Sequence, residues 1–446
     1  MELIKEASRV LKPRARRAIR GGVQRGRRAT SRAAVAAKRL PVPVRMRQWL
    51  YEVLPWRPRR FDVPVEMLLM GGQNRVSASG FATETDDLLW PSTRVTDGPH
   101  TALLRAATAR SLANEAMADD EILASAYADM ARSCIRISGQ FFAATDDAGI
   151  LAEARGFIAR YEGGGAAPDA NRPHQSAART PVRVARIEAS DYFQVVDGHH
   201  RIALAAATGQ PTVRVQCKWL PVSTPLQDTL NQMSWIGGER ELYQPVSSPE
   251  LTKSWTTVRA CTDRLTKMLD CSADLGLEPR TSSYLDVASC YGWLVSEMGG
   301  AGFDAQGVER DPLAPILGKA VYGLDPSRVT TGDAVDFLGS GRRFDVVSCF
   351  SLLHHFALGR GRVEADEFVR LLDGATGRVL FLDTGQQHEE WFEKSLSEWD
   401  TDYVKKFLLA NSTFDEIIDL GPDIDAVPPY EKNYGRHFFA CVRKPN

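Results

Sequence analysis

From about residue 245 onward, short apolar runs alternate with segments that have the periodicity of helices. Three of these runs are each followed by a stretch in which apolar residues recur every three or four positions: SYLDVA, AQGVER and RFDVVSCF. Strands that alternate with helices form a mostly parallel sheet with helices on both faces. The pattern therefore predicts an α/β domain with a doubly wound, Rossmann-like sheet over residues 245–446.

Two blocks precede this domain. Residues 1–60 are rich in lysine and arginine. Residues 61–244 contain a region of helical periodicity from about Thr101 to Tyr161. A linker rich in Gly, Ala and Pro follows, and then PVRVARI and YFQVV predict a β-hairpin. HHRIALAAATG predicts a short helix and PTVRVQCKW a further strand. We therefore predict a smaller α+β domain over residues 61–244.

The charge of the chain is strongly asymmetric. Residues 1–60 hold 18 lysines and arginines against three acids, a net charge of +15, and the rest of the chain carries −16 because the whole carries −1. A basic arm on an acidic body is typical of proteins that contact nucleic acid or an anionic lipid surface. The alternative is a solvated, partly disordered tail without a dedicated partner.

Three absences narrow the class of protein. No run of about 18 or more apolar residues occurs, so the sequence predicts no transmembrane segment. The N-terminus lacks the apolar stretch of a secretory signal, and we therefore expect a cytoplasmic protein. The seven cysteines have no CxxC spacing, which favours reduced, buried thiols over disulfides or a zinc site.

The segment DGHHR, Asp197–Arg201, lies between a predicted strand and a predicted helix, and its chemistry has several interpretations. A metal site would need further ligands, because adjacent histidines at such a turn generally point in different directions. A glycine before a basic helix start is a better anion site. Backbone N–H groups, the positive end of the helix and Arg201 would converge on a phosphate. Nucleic-acid binding and a packed turn without a ligand stay open.

The end of the first strand of the α/β domain carries a candidate cofactor site. YLDVASCYG runs from this strand into a turn of small residues, with Asp286 at the end of the strand and Gly292 in the turn. Ligands of doubly wound sheets bind at the carboxyl ends of the strands, and small residues such as Ala288 and Ser289 let a cofactor approach the backbone. Glu309 ends the next strand, where it can accept hydrogen bonds from ribose hydroxyls. The missing G-x-G-x-x-G turn makes a dinucleotide dehydrogenase a weaker hypothesis.

This block resembles the class I S-adenosylmethionine-dependent methyltransferases over roughly residues 251–443. The resemblance implies a seven-stranded Rossmann-like sheet, methyl transfer, and S-adenosylmethionine as the cofactor. The cofactor-binding residues that it implies are Asp286, Ala288, Ser289 and Gly292 in the first motif, Glu309 at the ribose, Asp333 beside the adenine, and Phe350 and Ser351 along the cleft. The alternative is a methyltransferase fold that no longer binds the cofactor.

The methyl acceptor is less constrained by the sequence. Methyl transfer is an in-line displacement, so the protein chiefly aligns the acceptor and excludes water. A hydroxyl acceptor needs a base, and His354 or His355 after the fourth strand is a candidate catalytic base because histidine titrates near neutral pH. The alternative is that both histidines only shape the cleft. The Asp/Asn-Pro-Pro-Tyr motif of amino methylation on nucleic-acid bases is absent from this strand, and we expect a small-molecule, sugar-nucleotide or glycan acceptor.

The DGHHR segment and its flanks resemble the ParB/sulfiredoxin-like fold over about residues 180–218. In that family the loop binds nucleotide phosphates, so the resemblance implies ATP or CTP as a ligand of the smaller domain. It implies that Gly198, His199, His200 and Arg201 contact phosphate while Asp197 orders the turn. The cysteine of sulfiredoxin is replaced by histidine here, which argues against reduction of sulfinic acid. A scaffold without a nucleotide is the alternative.

Three functional hypotheses follow. The first is a cytoplasmic methyltransferase whose ParB-like domain binds a nucleotide or a phosphate-bearing group. The second is a nucleic-acid-associated protein in which residues 1–60 and the DGHHR segment contact DNA or RNA, and in which the methyltransferase fold modifies nucleic acid or only senses the cofactor. The third places a phosphotransferase in the smaller domain. The acceptor, the atom methylated and the oligomeric state stay open.

Overall fold

The computed structural model describes residues 56–73, 76–87, 90–162, 181–218, 221–233, 240–425 and 435–444. Most of the predicted basic arm and the predicted linker at residues 163–180 lie outside these ranges. The chain divides into two compact units. The first unit contains Met1–Arg240 with Ser248–Trp255, and the second contains Glu241–Ser247 with Thr256–Asn446.

A five-stranded mixed sheet forms the framework of the first unit. Its strands are β1 (Trp56–Pro64), β2 (Leu68–Leu69), β3 (Val182–Arg186), β4 (Phe193–Asp197) and β5 (Thr212–Lys218). They lie in the order β1-β5-β3-β4-β2. The β5–β3 and β4–β2 pairs are parallel, and the β1–β5 and β3–β4 pairs are antiparallel. The predicted hairpin is thereby confirmed as β3 and β4.

The N-terminal boundary of the sheet differs from the sequence prediction. The basic arm was expected to extend to Arg60, but Trp56–Arg60 belong to β1. This strand lies at the edge of the sheet and pairs only with β5. Edge strands tolerate prolines and charged side chains. A segment rich in Arg and Pro can therefore form an edge strand even though its composition is typical of an arm.

Helices pack on this sheet. They are α1 (Ala78–Thr85), α2 (Pro99–Leu112), α3 (Asp119–Leu123), α4 (Ala126–Ser138), α5 (Asp147–Glu162), α6 (His199–Ala207) and α7 (Pro225–Met233). The predicted helical region is four separate helices, α2 to α5, because capping residues interrupt it. The side chain of Ser125 caps the start of α4, and Gly139, with a φ of 85°, ends it. Helices α1 to α6 and the sheet share one buried apolar cluster.

The second unit is built around a seven-stranded sheet. Its strands are β8 (Ser283–Val287), β9 (Asp304–Glu309), β10 (Val329–Thr331), β11 (Phe344–Cys349), β12 (Thr376–Leu382), β13 (Glu416–Pro422) and β14 (His437–Val442), after a small pair β6 (Glu241–Leu242) and β7 (Thr256–Thr257). The order is β10-β9-β8-β11-β12-β14-β13. Strand β14 runs in the opposite direction to the other six, which confirms the predicted mostly parallel sheet.

Both faces of this sheet are covered, as the alternation of strands and helices predicts. The helices are α8 (Thr262–Asp274), α9 (Trp293–Gly300), α10 (Ala314–Tyr322), α11 (Ala334–Leu338), α12 (Leu353–Ala357), α13 (Ala365–Ala375) and α14 (Thr401–Ala410). Successive residues of β8 belong to different clusters: Tyr284 to one, and Leu285 and Val287 to the other. Among the described residues, no helix is long and apolar enough to cross a membrane.

Candidate functional site

The strand order of the second sheet reverses between β8 and β11. The chain proceeds from β8 to β9 and β10 on one side and from β11 to β12 on the other. In doubly wound sheets the crevice at such a reversal, outside the carboxyl ends of the strands, is where ligands bind. Asp286 lies in β8 at this point, paired with Ser348 of β11 and Gly307 of β9.

The turn after β8 has the backbone of a glycine-rich loop with few glycines. Ala288, Cys290 and Gly292 have φ values of 62°, 52° and 84°, so every second residue is left-handed. L-residues rarely adopt this region, and two of the three positions are not glycine. Sequence reasoning identified Ala288, Ser289 and Gly292 but missed Cys290, whose only signal was its place midway between Ala288 and Gly292.

Ser289 anchors this turn to β9. Its side chain is fully buried, and its N–H donates to the carbonyl of Val308 (3.1 Å). A Cβ added at Gly307 would lie 2.7 Å from Oγ of Ser289, so only glycine allows this approach. At the other end of the turn, a Cβ on Gly292 would lie 2.9 Å from Cδ2 of Leu324. Two close approaches therefore fix the shape of the turn.

Asp286 is a buried carboxylic acid at the head of this turn. It accepts a hydrogen bond from Oγ of Ser348 (2.7 Å), which also lies 2.6 Å from the hydroxyl of Tyr284. The pKa of Asp286 is raised to about 7, chiefly by burial; the Ser348 hydrogen bond lowers the pKa, and the charge of Glu309 raises it. Near neutral pH the group can therefore exchange a proton, and a cationic ligand would favour its ionised form.

Glu309 ends β9 and is also buried. One carboxylate oxygen accepts from the N–H of Cys290 (3.1 Å) and the other from the N–H of Asp311 (3.2 Å). These bonds orient the carboxylate and lower its pKa, but burial outweighs them and the pKa is raised. Each oxygen retains acceptor capacity, which suits the predicted hydrogen bonds from ribose hydroxyls.

The remaining predicted cofactor residues follow β10 and β11. Asp333 caps α11 by accepting from the N–H of Val335 (2.9 Å), and it is partly exposed. Phe350 follows β11 and packs its ring 4.8 Å from the guanidinium of Arg264. Ser351, with a φ of 56°, donates its N–H to Oδ1 of Asp383 (2.6 Å). The predicted residues thus lie at the ends of four neighbouring strands.

A buried ion network next to these residues was not foreseen from the sequence. Arg259 and Arg264 both contact the carboxylates of Asp383, at the end of β12, and Asp423. Nη1 of Arg436 donates to Oγ of Ser351 (2.8 Å), and Arg436 is also paired with the buried Glu389. The contacts of Arg259 and Arg264 span more than 100 residues and those of Arg436 span 47 and 85, so no local sequence pattern predicts the network.

The two predicted catalytic histidines differ in their chemistry. Nδ1 of His354 accepts a hydrogen bond from the N–H of Gly385 (3.1 Å), which leaves the ring proton on Nε2. Burial and then the charge of Arg436 lower the pKa of His354 to about 2. His355, with its ring 4.3 Å away, is less buried, and its pKa is also lowered, first by burial and then by Arg360. His354 is therefore placed to donate, whereas His355 is a neutral imidazole able to accept a proton.

In the first unit, the DGHHR segment forms the predicted turn between β4 and α6. Gly198 precedes α6 with a φ of 110°. Nε2 of His199 accepts from the N–H of Gly71 (3.2 Å), and Nε2 of His200 lies 2.9 Å from the hydroxyl of Tyr127. Burial lowers the pKa of both histidines to about 3. The two rings are thus uncharged at neutral pH, and cationic contacts to a phosphate must come from other side chains.

Such side chains surround a pocket of about 910 Å³ in front of this turn. Its charged lining side chains are four bases and two acids: Arg160, Arg183, Arg201, Lys218, Glu153 and Asp197. Nη2 of Arg201 donates to Oδ2 of Asp197 (2.9 Å), which supports the predicted ordering role of that acid. The side-chain amide nitrogen of Gln73, also on the wall, has no hydrogen-bond partner. A net positive pocket with an unused donor is suited to an anionic ligand.

The second glycine-containing loop of this pocket was missed from the sequence. A Cβ at Gly71 would lie 1.6 Å from the carbonyl oxygen of Val195, and one at Gly72 would lie 2.2 Å from that of Val76. This loop therefore packs directly against β4 and the DGHHR turn. Within the described parts of the chain, no group of three or more His, Cys, Asp or Glu side chains is placed to hold a metal ion.

Comparisons with known proteins give only distant structural matches. No protein-family model and no curated protein matches the chain. Among solved structures, similar chains include several methyltransferases. One is the bifunctional kinase-methyltransferase WbdD, at 17% identity and a TM-score of 0.38, covering 49% of this chain and 46% of that chain. This chain therefore matches less than half the length of WbdD.

Two smaller methyltransferases are covered more completely. A SAM-dependent methyltransferase from Archaeoglobus fulgidus is 12% identical with a TM-score of 0.29, covering 41% of this chain and 95% of that chain. Magnesium protoporphyrin IX methyltransferase (ChlM) from Synechocystis PCC 6803, with bound SAH, is 15% identical with a TM-score of 0.31, covering 41% and 83%.

Proposed function

We propose that the second unit is an S-adenosylmethionine-dependent methyltransferase. The observation that carries this proposal is the turn after β8. Left-handed residues at positions 288, 290 and 292 open a backbone cradle at the reversal of strand order. It lies between the buried acids Asp286 and Glu309, and proteins retain such backbone conformations at non-glycine residues where a ligand site requires them.

Different residues of this chain would bind different parts of S-adenosylmethionine. Glu309 accepts hydrogen bonds from the ribose hydroxyls, Asp333 lies beside the adenine, and Asp286 faces the cationic end of the cofactor. Phe350 and Ser351 line the cleft toward the acceptor. S-adenosylmethionine, when bound, supplies an activated methyl group for in-line displacement. The buried network around Arg264 holds the end of β12 rigid, so that the acceptor is aligned within a fixed frame.

The acceptor in this proposal is a hydroxyl of a small molecule, sugar nucleotide or glycan. His355 takes the hydroxyl proton as the methyl group is transferred, since its imidazole is neutral at working pH. His354 donates a hydrogen bond from Nε2 and positions the acceptor oxygen. We therefore expect His355→Gln to lower kcat by about 100-fold or more with little change in cofactor affinity.

Calorimetry with S-adenosylmethionine and S-adenosylhomocysteine tests the cofactor site. Asp286→Ala and Glu309→Ala should each weaken binding by tenfold or more, about 1.4 kcal/mol or above. Asp304→Ala is the matched control, because this exposed acid lies at the opposite end of β9 and forms only a surface pair with Arg328. No binding of either molecule to the wild-type protein would refute the proposal.

For the first unit we propose binding of a phosphate-bearing ligand, with ATP or CTP as candidates. The N-terminus of α6 and the surrounding basic side chains support this assignment. Titration with tripolyphosphate tests it. Arg201→Ala should weaken binding about tenfold, whereas Arg214→Ala, a more exposed arginine outside the pocket, should not. Equal binding by both variants and the wild type would contradict a phosphate site at the DGHHR turn.

A further inference from the structure

Phe142 is an unusual residue on the wall of the phosphate pocket. Its side chain lines the pocket, yet its relative exposure is 52%. Its φ is 49°, a left-handed conformation that is rare for residues other than glycine and uncommon for an aromatic one. An exposed ring in such a conformation contributes little to the core, so folding alone does not account for it.

Phe142 lies in a tight turn at a position where glycine is usually found. Phe141 and Ala144 exchange two backbone hydrogen bonds, of 2.8 and 2.9 Å, and enclose Phe142 and Ala143 as a two-residue turn. Only the first of these two enclosed residues has a positive φ. Glycine is favoured at that position of a type II′ turn. The chain therefore has an aromatic ring at a place where glycine would be easier to fold.

The ring of Phe142 is also held in place from the side of the DGHHR turn. It makes T-shaped contacts with the ring of Phe141, at 4.8 Å and 71°, and with that of His200, at 5.1 Å and 74°. His200 is itself fixed by Tyr127. The two contacts hold the ring on one side, while its 52% exposure leaves part of the ring open to a ligand in the pocket. The same pocket thus has a cationic part suited to phosphate and a fixed aromatic ring.

We propose that Phe142 is a specificity-determining residue that stacks against the aromatic base of a nucleoside phosphate. The proposal rests on the phosphate-binding function of the pocket and narrows its ligand to molecules that carry a base as well as a phosphate. Every base has a π-face, so stacking selects bases over non-aromatic phosphates without selecting one base.

Calorimetric titration distinguishes the contribution of the base to binding from that of the phosphate. The probes are ATP, CTP, tripolyphosphate and ribose 5-phosphate, tested on the wild-type chain, Phe142→Leu, Phe142→Trp and Arg201→Ala. We expect Phe142→Leu to bind ATP and CTP about tenfold more weakly and tripolyphosphate as the wild type does. Phe142→Trp should bind the nucleotides at least as tightly, with quenching of the introduced indole fluorescence. Arg201→Ala should weaken binding of all phosphates.

Two further variants control for the fold. Leu112→Ala removes an exposed apolar side chain that is outside the pocket lining, and it should change no affinity. Phe142→Gly relieves the left-handed backbone, so it should raise the melting temperature while weakening nucleotide binding. Unchanged nucleotide affinity in Phe142→Leu, with tripolyphosphate bound by the wild type, would overturn the stacking role alone. A wild-type chain that binds none of the four probes would overturn the phosphate site and the stacking role together.

Discussion

At the scale of single residues, Asp286 couples cofactor binding to pH. Burial raises its pKa to about 7, so below that pH most of the ligand-free protein carries a neutral acid there. S-adenosylmethionine is cationic and favours the ionised form. We therefore predict that its affinity rises about tenfold from pH 6 to pH 8, with release of a proton on binding below pH 7.

Calorimetry in buffers of different ionisation enthalpy measures this proton release directly. Asp286→Asn is the matched variant, because it keeps the shape of the side chain and removes its titration. Its affinity should be lower at pH 8 and nearly independent of pH. A wild-type affinity that does not change between pH 6 and pH 8 would show that Asp286 does not face the cationic group.

His100 illustrates a different consequence of burial. The ring is fully buried in the first unit, stacks on His199 at 5.5 Å, and has no hydrogen-bond partner for either nitrogen. Burial, and then the charges of His200 and His199, lower its pKa well below 6.5. Because the folded-state pKa is below the unfolded value, the stability from neutral His100 is fully present above pH 6.5. It is lost as the pH falls below 6.5.

We predict a measurable signature of this group in urea unfolding. Between pH 7 and pH 5, protonation of the unfolded chain at one such histidine lowers the free energy of unfolding by about 2 kcal/mol. His100→Phe should reduce the pH dependence of the wild type by about that amount. His388→Gln, at a less buried histidine of the second unit, should leave the pH dependence of the first unit unchanged. Equal pH dependence in the wild type and His100→Phe would contradict the prediction.

At the scale of elements, the turn after β8 depends on a glycine in the neighbouring strand. A Cβ at Gly307 would meet Oγ and Cβ of Ser289 at 2.7 and 2.8 Å. We predict that Gly307→Ala displaces the turn, lowers stability by about 1–3 kcal/mol and weakens cofactor binding. In Gly299→Ala of α9 the nearest atom would lie 3.8 Å away, so this variant should keep its affinity. Thermal unfolding and calorimetry measure both effects, and equal behaviour of the two variants would disprove the role of Gly307.

Helix α8 contributes one arginine to the buried network and one partly buried lysine to a local ion pair. Arg264 contacts Asp383 and Asp423, whereas Lys267 pairs with Asp263 at 2.8 Å. Arg264→Met leaves buried carboxylates short of a partner and should lower the free energy of unfolding by about 3–5 kcal/mol. Lys267→Met should cost less than about 1 kcal/mol. Similar losses in chemical denaturation for the two variants would mean that the network is not a structural unit.

At the scale of the whole molecule, deletion of the basic segment before β1 distinguishes the methyltransferase hypothesis from the nucleic-acid-binding hypothesis. Residues 1–55 hold 15 lysines and arginines and three acids, and β1 begins at Trp56. We predict that deletion of residues 1–55 removes binding to DNA, RNA or anionic vesicles and leaves cofactor affinity unchanged. Wild-type binding should weaken steeply with salt. Nucleic-acid binding that persists after the deletion would favour the pocket of the first unit as its site.

The two sheets differ in how far local patterns predict them. Most strands of the second sheet are short apolar runs next to helices, so the order of elements follows largely from periodicity, whereas β10, Val329–Thr331, is mostly exposed. The helical region of the first unit was predicted as one segment and is four helices, because caps at Ser125 and Gly139 break a continuous apolar pattern. The first five residues of β1, Trp56–Arg60, were assigned to the arm, because an edge strand tolerates the prolines and arginines that are typical of such an arm.

The sequence by itself determined the α/β alternation, the acids at the ends of β8 and β9, and the glycine before α6, because these depend on neighbouring residues. Only the tertiary structure decided that Cys290 adopts a glycine-like backbone, that Arg264 and Asp383 form a buried pair, and that Phe142 lines the same pocket as Arg201. Such contacts join residues far apart in the chain, and their energies depend on burial, which no local pattern encodes.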